Sequence, residues 1–293
     1  MRRPPTEHAE HADPLESLSP EKRRLLALRL RQKSTGEPST KTVAPPESNR
    51  WFPNIEASTG SKLRLFCFPY AGAGTSAFRG WAERLPKGIA VCPARLPGRE
   101  TRLKEAPFEN MGLLIEHLAQ AMAPYLDRPY ALFGHSMGAA IAFELARALR
   151  RQMRPLPALI AVSAARAPQF RWNYTPAAAP SDEELVEQLR RLEGMSSELL
   201  ESPELLKFAL PALRADTTLY RNYMYTEEPP LDCPIRAYGS LDDPNVTREH
   251  MAAWRNETTR SFDLKMFPGG HFFIHSQRTE FLEALSFDLN GFL

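Results

Sequence analysis

The sequence is poor in cysteine, with three in 293 residues, and nearly balanced in charge, at a formal net charge of +2. It also lacks any apolar run as long as a membrane span, and its N-terminus is polar rather than a signal peptide. Each absence removes a class of protein. The balance of 37 Lys and Arg against 35 Asp and Glu gives no basic or acidic field to attract nucleic acid or a membrane surface. Cys67, Cys92 and Cys233 stand in apolar runs without the paired spacing of a metal site. They read as buried, reduced thiols of a cytoplasmic protein. No metal is expected.

What is present suits one large globular domain with an appendage: 43% of the residues are hydrophobic. Residues 1–60 are rich in Pro, Ser, Thr, Glu and Arg and poor in aromatics. Too little apolar area is available there to offset the entropy of ordering, so a mostly disordered extension over 1–50 is expected. Within it, "LSPEKRRLLALRLRQK" has a capping Ser19, Pro20 at the first helical position and four leucines on one side. It predicts a short basic helix over about 19–33, suited either to docking on an acidic partner or to packing on its own domain.

From residue 61 onward, apolar strands alternate with helices. Strands are expected at 63–72, 88–98, 130–136, 158–168, 233–240 and 262–270, and helices at 108–125, 137–152, 247–256 and 277–290. This pattern predicts an α/β domain over 51–293, with a mostly parallel central sheet covered by helices on both faces. Residues 181–225 interrupt the alternation with helical stretches only. Ser181 and Glu184 form a capping box at the start. Such an insertion would lie over the carboxyl ends of the strands as a helical lid, spanning about 170–228.

The chemistry concentrates in "LFGHSMGAAIAF", residues 132–143. Gly134-His135-Ser136-Met137-Gly138 is a G-x-S-x-G elbow lying after a predicted strand and before a predicted helix. A serine hydroxyl needs a base to become a nucleophile. The elbow's partners follow in the order acid, then histidine. His271 in "PGGHFF" is the expected base. His8 and His11 lie in the extension, His117 and His250 on helices, His135 inside the elbow, and His275 beyond the loop. "AYGSLDDPNV" supplies the acid at a strand end. Adjacent side chains diverge, so only one of Asp242 and Asp243 faces His271. An oxyanion hole needs two backbone amides. Met137, after the nucleophile, is one. Ala71 in "FPYAGAG" is the other, with Tyr70 as the alternative.

These motifs, in this order, resemble those of the type II thioesterases of polyketide and nonribosomal peptide synthesis, which are α/β-hydrolases. "LRLFCFPYAGAGTSAFRGW" is similar to that family's opening signature, "ARLPGRETR" to the next, and "GHSMGA" to the nucleophile motif. "PLDCPIRAYGSLDDPNVT" resembles the acid motif and "GGHFFIHS" the histidine motif. "SDEELVEQLRRLEG" and "ALPALRAD" resemble the lid. The resemblance covers residues from about 51 to the C-terminus.

It implies Ser136 and His271 as catalytic residues. It favours Asp243 as the acid, because the family's aspartate lies three residues before a Val-like position, here Val246. Ala71 and Met137 match the oxyanion positions. It implies hydrolysis of acyl groups from the phosphopantetheine arm of acyl or peptidyl carrier proteins, for editing or release, with no cofactor of the enzyme's own. A serine acyltransferase or a product-releasing cyclase on the same fold is the alternative. Phe170, Trp172, Leu205, Leu206 and Met224 are the lid residues expected to line an acyl channel. The basic helix resembles the one that follows carrier domains in peptide synthetases.

Overall fold

In the computed structural model of the chain, the described residues are 50–171, 180–191 and 203–293. The expected extension, with its basic helix at 19–33, and the expected channel residue Trp172 lie outside them.

Six strands form one sheet: β1 (Leu63–Phe68), β2 (Ile89–Pro93), β3 (Tyr130–His135), β4 (Leu159–Ser163), β5 (Ile235–Ser240) and β6 (Phe262–Phe267). Their spatial order is β2-β1-β3-β4-β5-β6, and every neighbouring pair is parallel. The helices are α1 (Met111–Met122), α2 (Met137–Arg151), α3 (Asp182–Arg191), α4 (Pro203–Arg221), α5 (Arg248–Ala252), α6 (Phe273–Ser276) and α7 (Arg278–Asn290).

Both faces of the sheet are apolar because both are covered. Side chains alternate along a strand, so β1 sends Phe66 and Phe68 to one face and Leu63, Leu65 and Cys67 to the other. The first set joins Leu132, Ile160 and Val162 beneath α1 and α2, with Met251 of α5 and Trp254. The second joins Ala131, Phe133 and Ala161 beneath α7 and the aromatic pair Phe78 and Trp81. The three cysteines are buried and unpaired. Burial pushes the Cys92 and Cys233 thiols up to about 12 and raises Cys67 as well.

The helices begin where the sequence supplies caps. Asn110 accepts the Leu113 amide at 3.0 Å at the start of α1. Ser181 and Glu184 form the reciprocal pair before α3, at 2.9 and 3.2 Å. The helical insertion falls between β4 and β5, as its lack of strand pattern predicts. No described helix is long and apolar enough to cross a membrane.

Strand order reverses at β1: β2 lies on one side of it and β3 on the other. Loops leaving β1 and β3 therefore diverge, opening the crevice in which parallel sheets hold ligands. That crevice is closed at its floor by two glycines. A Cβ on Gly134 would lie 2.0 Å from the Gly138 carbonyl oxygen, and one on Gly138 would lie 2.1 Å from that of Phe68. Strand, turn and helix touch through backbone alone.

That contact generates a stability prediction. Gly138→Ala must push apart β1 and α2, and overpacking of this kind costs about 1–3 kcal/mol, occasionally more. Gly291→Ala meets nothing within 4 Å, so a change within about 0.5 kcal/mol is expected there. Urea unfolding of both variants checks this, and an unchanged midpoint for Gly138→Ala would contradict it.

Candidate active site

Ser136 sits on the sharp turn between β3 and α2 with φ +55° and ψ −118°. That backbone is costly for a residue with a Cβ. It is held by the Ser136 amide donating to the Ser163 carbonyl at 2.8 Å, and by the Ala139 amide donating to the Ser136 carbonyl at 3.0 Å. The turn lifts the hydroxyl above the sheet at the N-terminus of α2, where the helix dipole favours negative charge.

His271 lies in the loop after β6, and its Nε2 is 3.0 Å from Ser136 Oγ. Its Nδ1 is 2.6 Å from Asp243 Oδ2. A carboxylate only accepts, so the shared proton belongs on Nδ1 and Nε2 is left to accept from the serine hydroxyl. The other Asp243 oxygen accepts the amides of Asn245 at 2.8 Å and Val246 at 3.2 Å. This turn is the physical content of the spacing between the aspartate and Val246. Asp243 and His271 are both buried.

Asp242 is turned away and exposed. Its carboxylate accepts the Gly269 amide at 3.1 Å, and its own amide donates to the Gly269 carbonyl at 3.1 Å. The two neighbouring acids therefore hold two different parts of the histidine loop.

The loop after β1 carries Ala71 beside the elbow, because Gly138 of α2 packs against Phe68 and Pro69. Among the described residues, neither the Ala71 amide nor the Met137 amide has an intramolecular acceptor. The Tyr70 side chain turns its ring toward His135 and Phe272, with centroids 5.7 and 4.8 Å away. Its hydroxyl lies 3.0 Å from His275 Nε2.

His135 is fully buried, 2.9 Å from Ser163 Oγ through Nδ1, with its ring 5.4 Å from that of His271. Burial, and then the nearby His271 and His275, push its pKa far below the ordinary imidazole range. It stays neutral beside His271. Burial and Arg278 lower His275 as well.

The expected channel residues are placed less uniformly. Phe170 is half exposed and stacks edge-on against His250 at 4.8 Å. Leu206 is partly buried on α4. Leu205 is on the same helix, but its side chain lies outside the described set. Met224 lies elsewhere along the chain. It lines a cavity of about 610 Å³ with Gln152, Arg151 and Asn110, at the C-terminal end of α2. At 1.5 Å per residue that end is roughly 20 Å along the helix from Ser136. The chain leaves α4 at Arg221 and runs down beside α2, away from the elbow.

Two side chains that motif reasoning left without a role sit next to the Ala71 loop. Arg99 of "LPGRE" and Asp216 of α4 form a buried bidentate ion pair at 2.6 and 2.7 Å. Asp216 was the signal to follow: one acid on a helix face otherwise made of Ala212, Leu213, Ala215 and Leu219, all buried.

Comparison with known proteins agrees with this geometry. Residues 63–288 match the model of the thioesterase domain family. The chain is 41% identical over 237 residues to the gramicidin S biosynthesis protein GrsT of Aneurinibacillus migulanus, covering 81% of this chain and 93% of that one. The solved structure of RedJ, a thioesterase from the prodiginine biosynthetic pathway in Streptomyces coelicolor, superimposes with a TM-score of 0.75. It is 40% identical, over 88% of this chain and 99% of RedJ. The type II thioesterase BorB from the borrelidin biosynthetic cluster gives a TM-score of 0.69 at 36% identity, over 76% of this chain and 91% of BorB. A six-stranded parallel sheet, an elbow serine in reach of a histidine, and a family match over most of the length lead to one statement: the chain belongs to the thioesterase domain family, as a thioester hydrolase of α/β-hydrolase fold.

Proposed function

We propose that the chain is a type II thioesterase that hydrolyses acyl groups from the phosphopantetheine arm of acyl or peptidyl carrier proteins in polyketide or nonribosomal peptide assembly. The observation that carries the reading is the continuous path Asp243–His271–Ser136, at 2.6 and 3.0 Å, ending beside two amides with no acceptor among the described residues. Relatives named for gramicidin S, prodiginine and borrelidin biosynthesis support the assembly-line substrate. A cytoplasmic location follows from that setting.

In the proposed reaction, Ser136 Oγ attacks the thioester carbonyl as its proton passes to His271 Nε2. Asp243 fixes the imidazole tautomer and stabilises the imidazolium. Negative charge on the carbonyl oxygen is met by the Ala71 and Met137 amides. The C–S bond then breaks. The pantetheine sulfur leaves with the proton from His271, and the acyl group remains as an ester on Ser136. Water repeats the sequence: it gives a proton to His271, attacks the ester, and releases the free acid as the proton returns to Ser136. Only side chains, backbone amides and water act. The pantetheine arm belongs to the carrier.

Two outcomes are expected. One acyl group presented on a holo carrier protein should be hydrolysed faster than the same group on a small pantetheine thioester, with both rates lost in Ser136→Ala. Equal rates would remove the carrier from the reading, and an acylated enzyme that yields no free acid would indicate transfer to another acceptor. The two aspartates separate by steady-state kinetics on the same thioester. Asp243→Asn, which supports the wrong tautomer, should lower kcat by about 10⁴-fold. Asp242→Asn removes the charge but keeps an oxygen that can accept the Gly269 amide, so its kcat should stay within about tenfold of the parent, the scale of one exposed hydrogen bond.

A further inference from the structure

We propose that the buried Arg99–Asp216 pair is a latch that makes the oxyanion hole depend on the lid helix: α4 must lie on the Ala71 loop for the Ala71 amide to face the reacting carbonyl. The proposal rests on the reading above, in which Ala71 supplies one of the two oxyanion donors.

The pair is built into the loop rather than beside it. Asp216 Oδ2 accepts from Arg99 Nη1 at 2.6 Å and also from the Gly72 amide at 2.8 Å. Asp216 Oδ1 accepts from Arg99 Nη2 at 2.7 Å. The same Arg99 Nη1 donates to the Ala73 carbonyl at 2.8 Å, and Arg99 Nε donates to the Pro97 carbonyl at 3.2 Å. Gly72 and Ala73 are the two residues after Ala71. Their amide and carbonyl directions set the peptide planes of the turn from which the Ala71 amide projects. Gly72 has φ +78°, a conformation that needs fixing because glycine has no steric preference of its own.

Packing repeats the coupling. Leu213 of α4 covers Gly72 so closely that a Cβ there would lie 3.1 Å from Leu213 Cδ1. Ala71 itself packs against the cluster of Leu185, Leu189 and Leu213 from α3 and α4. On the far side, Glu100, next to Arg99 and at φ +51°, accepts from Thr75 Oγ1 at 2.8 Å. The "LPGRE" segment therefore grips the loop at Ala73 and at Thr75.

Direction is what the ion pair adds. Arg99 is 6% exposed and Asp216 2%. An apolar pair of similar volume fills such a space as well or better for stability. It would not orient the Gly72 amide or the Ala73 carbonyl. The pair is thus a positioning device, acting on the reaction through Ala71.

The test uses the full chain. The double variant Arg99→Met/Asp216→Leu removes both charges together, so neither is left buried alone. Four quantities are read: melting temperature, kcat and KM on an acyl-pantetheine thioester, and the affinity of an alkylboronic acid. The boronate forms a tetrahedral adduct on Ser136 whose oxygen occupies the oxyanion position. The expected result is a folded protein with a parental melting temperature and KM. Its kcat should fall by about 10²-fold, the scale of one lost oxyanion donor. Boronate affinity should fall by the same factor. Arg99→Lys keeps the charge but loses the fork, and it should show the same split even if the double variant does not fold. A fully active variant, or one in which KM alone rises, overturns the latch. A parent that neither binds the boronate nor is labelled by a fluorophosphonate overturns the reading of Ser136 beneath it, and the latch falls with it.

Discussion

The parallel pairing of β1 with β3 is the constraint on which the site depends. Phe68 stands opposite Gly134 in that register. Ala71 is three residues beyond the first and Met137 three residues beyond the second. Two equal steps from one paired level bring both proposed oxyanion amides to the same rim of the sheet. The β5–β6 ladder does the same for the other half: Ser240 stands opposite Phe267. Asp243 lies three residues past Ser240 and His271 four past Phe267. A slip of one residue in either ladder would turn every side chain to the opposite face and separate the set. Sheet register is therefore part of the catalytic geometry.

Such a register is affordable only because the sheet is buried on both faces and the backbone contacts at its rim are made by glycine. The left-handed turn at Ser136 is strained, and it is held by strand-end hydrogen bonds from β4 and α2 rather than by its own preference. The cores on the two faces resist any relaxation that would ease it. A neutral, buried His135 fills the space beneath the His271 ring. A second positive charge there would oppose the imidazolium that the proposed reaction must form.

The sequence made the sheet and the elbow legible because both are local. Apolar runs of seven to eleven residues marked each strand, starting within two residues of the observed start and ending up to five residues late. G-x-S-x-G carried its own context. His271 was reached by elimination among seven histidines. The acid was not separable by chemistry: Asp242 and Asp243 are identical groups at the same strand end. What divides them is which carboxylate the Gly269 amide claims, a contact across 27 positions of chain. Spacing to Val246 favours Asp243, and the Val246 amide donates to its carboxylate. The position of Met224 was not legible for a related reason. Apolar residues near the end of an insertion carry no mark of which direction the chain takes once the helix stops.

The Arg99–Asp216 pair was illegible for a stronger reason. Its members lie 117 positions apart, one in a loop and one on a helix, and no periodicity connects them. Only the mismatch of an acid on an apolar face hinted at a partner. Yet this pair, with the Tyr70–His275 contact on the other side, fixes the loop that motif reasoning identified by its glycines alone. Glycine permits the turn without selecting it. Selection comes from α4, from the "LPGRE" segment and from the histidine loop, three parts of the chain with no local relation to one another. A short signature can therefore name the proposed reacting groups, while the loop beside them is held by residues that the glycine-rich signature does not contain.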